Sequence, residues 1–307
     1  MSNSTSHTPH LPLDLRKPFA LAYRLLYKLH HWLFLRPGEP LTHAKLIVVG
    51  SFLAGGAGKT PFVIWLANHI VSLSATARVA VLCHAKAWDE LELLKMKLPW
   101  ATVVATSNRY RTARELDRQF DYIICDDGFE DSRLRLAYTV RLDWGEPPRR
   151  LRDLWPVGPN RSLVQDHPQP DLILKCDGEN PDVKFSITEI VNGAGETLDV
   201  MGPGKSTAGS DMWAVCGIGN PERFFKDLEN FGVKVERTVV RPDHEWRYDK
   251  ALKKILKSAP AVLVTEKDYV RLGPELRNNS KVYRCTQKVE VCSDKKMPSP
   301  LPRIIKL

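Results

Sequence analysis

A glycine-rich segment at residues 50–60 (GSFLAGGAGKT) combines the residue types that bind phosphate groups. Its small residues let successive backbone N–H groups turn inward toward phosphate oxygens, and a following helix N-terminus would add its dipole. Lys59 would reach the β- and γ-phosphates, and the Thr60 hydroxyl would ligate Mg²⁺. The positions that would cradle a nucleotide are Gly55, Gly56, Ala57, Gly58, Lys59 and Thr60.

The flanks of this segment have the order that a P-loop requires. An apolar, β-branched run at residues 45–49 precedes it, and Pro61 with an apolar helical pattern follows it. The strict pattern GxxxxGK[ST] needs glycine where this chain has Leu53, so the match is to the variant GGxGKT. Because strand, turn and helix are all present, the segment predicts nucleotide binding, and a glycine-rich turn without a nucleotide is the alternative.

A second predicted strand ends in two carboxylates. Residues 121–127 (DYIICDD) form an apolar run that finishes in Asp126 and Asp127. The C-terminal end of a strand beside a P-loop is where an aspartate binds Mg²⁺. We therefore predict a metal site formed by Thr60, Asp126 and Asp127. An isolated Asp-Asp pair is more often a cap or a turn, so this prediction depends on the P-loop.

The elements that must position these residues alternate between strands and helices. Further strand-like runs lie at residues 79–82, 102–105, 138–142 and 171–174. This alternation predicts an α/β fold with a P-loop NTPase-like, mostly parallel sheet. Shorter runs beyond residue 211 predict a smaller α/β domain, in which GIGN (residues 217–220) forms a tight strand-to-helix turn that contacts the first domain.

Four segments follow from these patterns. Residues 1–36 form a disordered lead and an amphipathic, membrane-associated helix, and residues 37–178 form the P-loop domain. Residues 179–210, rich in Gly, Asp, Asn and Ser, form a strand-containing linker. Residues 211–307 form the smaller domain, which closes on the active site.

The amphipathic helix spans residues 18–35, where aromatic residues are concentrated. One face carries Phe19, Ala22, Leu26, Leu29 and Leu33, and the opposite face carries Lys17, Arg24, Lys28 and His31. The basic residues make it a poor transmembrane span. A basic face opposite an apolar one is typical of a helix in a membrane interface, and packing on the protein's own core is the alternative.

Composition excludes several classes of protein. With 307 residues, 43% hydrophobic and 26% charged, the chain has the composition of a two-domain globular protein rather than a disordered or polytopic membrane protein. The formal net charge of +9 suits an anionic partner. The six cysteines form no CxxC pair, which indicates a reducing compartment without a zinc site. Basic residues are not interleaved with aromatic ones outside the first helix, so no nucleic-acid partner is predicted.

Several motifs in order along the chain resemble one family. VVGSFLAGGAGKTP is similar to VGN-x-x-x-GGTGKTP, Asp89-Glu90 to GDEP, DDGF (residues 126–129) to DDGFQH, and GPNR (residues 158–161) to GPLRE. CGIGNPERFF is similar to AGIGNPERFF, and PDH and TEKD follow at residues 242–244 and 265–268. The family with this series of motifs is tetraacyldisaccharide 4'-kinase.

The resemblance implies a kinase that uses ATP and Mg²⁺ to phosphorylate the 4'-hydroxyl of a membrane-embedded, acylated glucosamine disaccharide 1-phosphate, forming lipid IVA. The family's catalytic Asp–His pair maps onto Asp89 and His244, and Lys59 joins them at the phosphates. A carboxylate beside an imidazole orients the ring and raises its basicity. The resemblance also implies peripheral attachment to the cytoplasmic face of a bacterial inner membrane, with no protein partner.

The chain departs from the family pattern at polar positions. Glu130 and Asp131 replace Gln-His after DDGF, Ser162 replaces the last Glu of GPLRE, and Glu245 replaces a second His. We expect the added carboxylates to make the site more negative. A divergent paralogue of low activity is therefore one alternative. A P-loop GTPase or metallochaperone-like protein is another, but the chain lacks the NKxD and CxxC motifs typical of them.

Overall fold

The computed structural model describes residues 13–34, 38–134, 137–199, 211–245 and 247–292. The predicted lead at residues 1–12 and the last part of the predicted linker, residues 200–210, lie outside them. Helix α1 (Leu13–Phe34) contains most of the predicted amphipathic segment. Among the described residues, no helix is long and apolar enough to cross a membrane.

The first domain is built on six parallel strands. They are β1 (Lys45–Gly50), β2 (Val79–His84), β3 (Thr102–Thr106), β4 (Tyr122–Asp126), β5 (Tyr138–Asp143) and β6 (Leu172–Lys175). Their order across the sheet is β3-β2-β4-β1-β5-β6. The connecting helices are α2 (Lys59–Leu73), α3 (Trp88–Lys97) and α4 (Arg109–Leu116).

The central strands of this sheet are covered on both faces. Ile47 and Val49 belong to one apolar core, and Val48 between them belongs to another on the opposite face. All of β4 is buried. Burial on both sides explains why these strands are continuous apolar runs. Because β4 pairs with β1, its last residue, Asp126, lies opposite Val49 just before the glycine-rich turn.

The second domain has a mixed five-stranded sheet in the order β7-β11-β10-β8-β9. Its strands are β7 (Val183–Asn192), β8 (Trp213–Cys216), β9 (Arg237–Val240), β10 (Val262–Thr265) and β11 (Val282–Val291). Its helices are α5 (Pro221–Phe231), α6 (Tyr248–Ile255), α7 (Glu266–Tyr269) and α8 (Pro274–Arg277). The predicted combination of a P-loop α/β domain and a smaller α/β domain is confirmed.

Strands β7 and β11 join the two domains. β7 lies inside the predicted linker but pairs antiparallel with β11 along its whole length, at the edge of the second sheet. Val183 and Val289, on these two strands, pack in the core of the first domain. The same antiparallel pair of strands therefore contributes to both hydrophobic cores. The domain boundaries drawn from the sequence stay a prediction.

Candidate active site

The glycine-rich turn lies between β1 and α2 and has a strongly constrained backbone. Gly56 and Gly58 have φ values of 71° and 75°, in the left-handed region that favours glycine. Trp144 Nε1 donates to the carbonyl of Ala57, and Arg223 Nη1 donates to the carbonyl of Gly56, each at 3.0 Å. Both side chains thus bind backbone carbonyls of the turn, and helix α2 begins directly after it at Lys59.

The predicted metal-binding side chains lie together at the end of β4. Thr60 Oγ1 donates to Asp126 Oδ2 at 2.7 Å. The other oxygen, Asp126 Oδ1, is buried without a hydrogen-bond partner in the described structure. Burial, with the charge of Glu90, raises the pKa of Asp126 to about 7. An unsatisfied buried carboxylate beside a threonine hydroxyl fits a Mg²⁺ ion, since Mg²⁺ binds oxygen ligands and would supply the missing charge.

Asp127, the second carboxylate, is already paired with two cations. Its oxygens lie 3.3 Å from Lys59 Nζ and 2.8 Å from Arg161 Nη1. Burial opposes ionisation of Asp127, but these two positive charges hold its pKa well below its usual range. Asp127 also has a positive φ of 56°, so the backbone turns sharply where β4 ends.

Asp89 and His244 meet across the interface of the two domains, as predicted. His244 Nδ1 lies 3.0 Å from each carboxylate oxygen of Asp89, which is 155 residues away in the chain. Asp89 is fully buried in the first turn of α3, whereas His244 is half-exposed. The hydrogen bond to Asp89 raises the pKa of His244, despite partial burial and the nearby charge of Lys267.

Arg271 holds this pair in place, and the sequence reasoning missed it. Its guanidinium is completely buried and bonds to Asp89, Asp268 and Asp243, and also to the carbonyl of Gly217. Asp268 accepts from the backbone N–H of Gly217 and from the Thr265 hydroxyl. We call the buried groups that bind this guanidinium, Asp89, Asp268 and the Gly217 carbonyl, the Arg271 socket. The TEKD motif contributes Asp268 to it. The motif was the available signal, but it did not identify the arginine three residues beyond it.

The GIGN turn contacts the P-loop directly. A Cβ atom added to Gly219 would lie 2.7 Å from the carbonyl carbon of Gly55, and one added to Gly56 would lie 2.5 Å from the Asn220 side chain. Asn220 caps α5 by accepting from the backbone N–H of Arg223. Glycine is required here because two backbones approach each other. The predicted strand-to-helix turn and its contact with the first domain are both present.

One cavity of about 1210 Å³ is bordered by residues of both domains. Its walls include the P-loop with Lys59 and Thr60, Asp127, and His244 from the second domain. Tyr23 and Tyr27 of α1 form part of the same wall. The cavity is therefore large enough for a nucleotide and a second reactant, and the N-terminal helix borders it.

The comparisons with known proteins identify the family. The family model for tetraacyldisaccharide-1-P 4'-kinase matches residues 14–306. The chain belongs to this family. Similar proteins include the tetraacyldisaccharide 4'-kinase of Halorhodospira halophila, 31% identical, with 85% of this chain and 84% of that protein covered. The enzyme of that name from Halothermothrix orenii is 28% identical, with 82% and 79% covered.

The fold agrees with a solved member of this kinase family. The crystal structure of LpxK from Aquifex aeolicus in complex with ATP matches with a TM-score of 0.67 at 22% sequence identity. The match covers 95% of this chain and 99% of that one. At this level of identity, the similarity shows that the two chains share their fold.

Two of the acidic residues that depart from the family motifs are paired with arginines. Asp131 pairs with Arg133 at 2.7 Å, and Glu245 pairs with Arg241 at 2.9 Å through its Oε2. The expectation that all the added carboxylates make the site more negative is therefore wrong for these two, because each has its own arginine. Glu130 differs, since the nearest arginine, Arg161, lies 3.8 Å from it and makes its shorter ion pair with Asp127.

Arg109 is a further cavity residue that the sequence reasoning did not single out. It is the first residue of α4, is 8% exposed, and lines the cavity. Its Nε is buried with no hydrogen-bond partner among the described residues. A buried guanidinium in this condition suits a phosphate group, which can accept two parallel hydrogen bonds from it. Only its position after a strand in the parallel sheet could have suggested this role.

A surface helix commonly packs its apolar face against the protein, whereas α1 packs residues of its basic face there. Arg24 forms two hydrogen bonds to Asp166, at 3.0 and 2.8 Å, and Lys28 Nζ lies 3.0 Å from the same carboxylate. His31 bonds to the carbonyl of Glu130. Arg24 and His31 of the basic face therefore pack against the protein, and Lys28 reaches it with a side chain that is 52% exposed. The exposed large apolar side chains of α1 are Phe19, Leu21, Leu25, Leu26, Leu29, Trp32, Leu33 and Phe34.

Proposed function

We propose that this chain transfers the γ-phosphate of ATP to the 4'-hydroxyl of an acylated glucosamine disaccharide 1-phosphate, forming lipid IVA in lipid A biosynthesis. The observation that carries the proposal is the Asp89–His244 pair, formed across two domains. His244 borders the same cavity as the P-loop. Phosphoryl transfer to a sugar hydroxyl needs a base near the γ-phosphate, and this arrangement supplies one.

His244 acts as the general base. Because its Nδ1 faces Asp89, we assign the resting proton to Nδ1, which leaves Nε2 as the basic nitrogen. Nε2 accepts the proton of the 4'-hydroxyl while the oxygen attacks the γ-phosphorus. Asp89 stabilises the imidazolium that results. It is itself held ionised, against its burial, by the hydrogen bond from His244 and by Lys267 and Arg271.

The phosphate side of the reaction falls to the P-loop domain. Backbone N–H groups at residues 55–60 hold the phosphates, and Lys59 compensates the charge of the transferred group. Thr60, Asp126 and Asp127 would hold Mg²⁺, which neutralises charge on the β- and γ-phosphates when bound. The unsatisfied Oδ1 of Asp126 supports this assignment. The GIGN turn packs against Gly55 and Gly56, so it places the second domain beside the phosphate site.

The direct test measures transfer of labelled phosphate from ATP to an acylated glucosamine disaccharide 1-phosphate in mixed micelles. We expect a product phosphorylated at the 4'-position. The matched control is the same acceptor with its 4'-hydroxyl replaced by hydrogen, which we expect to accept no phosphate. GTP in place of ATP tests the alternative class of nucleotide-binding protein. Equal labelling of both acceptors would contradict the assigned hydroxyl, and labelling of neither would contradict the function.

The outward face of α1 supports peripheral attachment to a membrane, which we place at the cytoplasmic face of a bacterial inner membrane. Large apolar side chains cover this face, and Trp32 is 75% exposed. Exposed apolar patches of this kind mark protein or membrane contacts. The acyl chains of the proposed acceptor favour a membrane over a protein as the partner of this face. Helix α1 also contributes Tyr23 and Tyr27 to the cavity wall, so one helix carries both the exposed apolar face and part of the candidate active site.

We expect Trp32→Glu to weaken binding to vesicles of phosphatidylethanolamine and phosphatidylglycerol by about 10–100-fold, since burying a large apolar side chain contributes roughly 1.5–3 kcal/mol and about 1.4 kcal/mol is a factor of ten. Vesicle co-sedimentation measures this. Trp100→Glu is the matched control, because Trp100 is also exposed but lies in the loop before β3, away from α1. Equal sedimentation of both variants would remove α1 from the membrane contact.

A further inference from the structure

Arg161 lies between two carboxylates at the edge of the cavity. Its Nη1 is 2.8 Å from Asp127 Oδ2 and 3.8 Å from Glu130 Oε2. Its Nη2 donates to the carbonyl of Ala54 at 2.6 Å. Arg161 therefore spans the front of the P-loop and the end of β4. Its short ion pair is with Asp127 and its longer one is with Glu130.

Glu130 is fixed in the position from which it faces Arg161. The buried hydroxyl of Ser162 donates to Glu130 Oε1 at 2.9 Å, and Ser162 Oγ lies 2.8 Å from His167 Nε2. The backbone carbonyl of Glu130 accepts from His31 Nε2 of α1 at 2.7 Å. Both the main chain and the side chain of Glu130 are thus held, and its second oxygen remains for Arg161.

Both contacting positions are among those at which this chain departs from the family motifs. Position 130 has Glu where DDGFQH has Gln, and position 162 has Ser where GPLRE has Glu. The motifs therefore have their carboxylate at the second of these positions, whereas this chain has it at the first. The direct hydrogen bond between Ser162 and Glu130 shows that the two departures lie in one contact.

The double pairing of Asp127 creates a competition. An Asp127 carboxylate that ligates Mg²⁺ gives up part of its interaction with Arg161, and a partly buried guanidinium left without a counter-ion is costly. Glu130 is the neighbouring carboxylate at 3.8 Å. We propose that Glu130, oriented by Ser162, is a positioning residue that takes over Arg161 when Asp127 binds Mg²⁺. This inference rests on the proposed function, because it assumes that Mg²⁺ and ATP bind together in this cavity.

The test titrates Mg²⁺ while measuring binding of a fluorescent ATP analogue, and separately measures phosphate transfer. We expect Glu130→Gln to raise the half-saturating Mg²⁺ concentration about tenfold, since outer partners of metal ligands commonly change affinity by about 10–100-fold. Ser162→Ala keeps the carboxylate but removes its hydrogen bond, so we expect a smaller rise. The double change Glu130→Gln with Ser162→Glu restores a carboxylate and should return the value to within about threefold of the wild type.

Glu115→Gln is the matched control, because it removes the same charge from an exposed helix position paired with Arg111. Thermal midpoints without Mg²⁺ show whether each variant is folded, and a structural defect would lower that midpoint without a selective Mg²⁺ effect. A Glu130→Gln protein whose half-saturating Mg²⁺ concentration equals that of Glu115→Gln would overturn the inference. Wild-type protein that binds Mg²⁺ and ATP but phosphorylates no acceptor would instead contradict the proposed function, and the binding titration would still decide the role of Glu130.

Discussion

His244→Ala is expected to lower kcat by about 10²–10⁴-fold, the usual contribution of a positioned general base. The half-exposed ring makes loss of folding a minor concern. Asp89→Asn, which keeps the shape of the side chain, should lower kcat in the same range because it no longer orients or stabilises the charged imidazole. The double variant should be only slightly slower than either single variant, since groups that act as a unit are not additive.

The pH dependence provides a second measurement on the same pair. The pKa of His244 is raised above its ordinary value of 6.5 by Asp89. A general base must be neutral, so kcat/KM of the wild type should rise with pH through a midpoint above 6.5. In Asp89→Asn, the stabilisation of the charged ring is lost, and the midpoint should move to lower pH. A His244→Ala protein with a wild-type rate and an unchanged pH profile would exclude this base while leaving the kinase function intact.

The elements that form the candidate phosphate site could be predicted from the sequence because their signals are local. Strand, glycine-rich turn and helix follow one another within residues 45–73, so their geometry is set by neighbouring residues. Asp126 was also predictable, since the strand that carries it is a continuous apolar run that must be buried. Parallel pairing of β4 with β1 then places its C-terminal end beside the turn.

The orientation of α1 could not be predicted in the same way. A helical wheel separates the apolar face from the basic one, but it does not say which face meets the protein. The decision depends on Asp166, which lies 142 residues from Arg24 and belongs to no motif. Glu130 was likewise identified only as a departure, because its bond to Ser162 joins residues 32 apart. Partners so distant in sequence leave no periodic signal.

The charged contacts between the domains could not be predicted from the sequence, for the same reason. Asp89 and Arg271 are 182 residues apart, and each resembles an ordinary helical or loop residue when considered alone. The family resemblance supplied Asp89 and His244 but not the arginine that holds them. What the structure adds is the chemical reason for the TEKD motif: its Asp268 is the second buried carboxylate of the Arg271 socket.

Arg271→Met is expected to lower the free energy of unfolding by about 3–5 kcal/mol, the usual cost of removing one partner from a buried ion pair. Arg271, Asp89 and Asp268 all have fully buried side chains, so neither carboxylate can be rehydrated without opening the domain interface. Burial already raises the pKa of Asp268 to about 6, and loss of the guanidinium should raise it further. Urea unfolding at neutral pH measures the change.

Two comparisons separate the loss of charge from the loss of geometry in this socket. Arg271→Lys keeps a cation but cannot reproduce the guanidinium's simultaneous contacts with Asp89, Asp268 and the Gly217 carbonyl, so its stability should fall between those of the methionine variant and the wild type. Arg114→Met removes an arginine whose ion pair with Glu39 is exposed, and it should leave the unfolding midpoint almost unchanged. Equal unfolding midpoints for Arg271→Met and Arg114→Met would show that the buried network contributes no more to stability than a surface ion pair. The role assigned to the Arg271 socket would then be wrong.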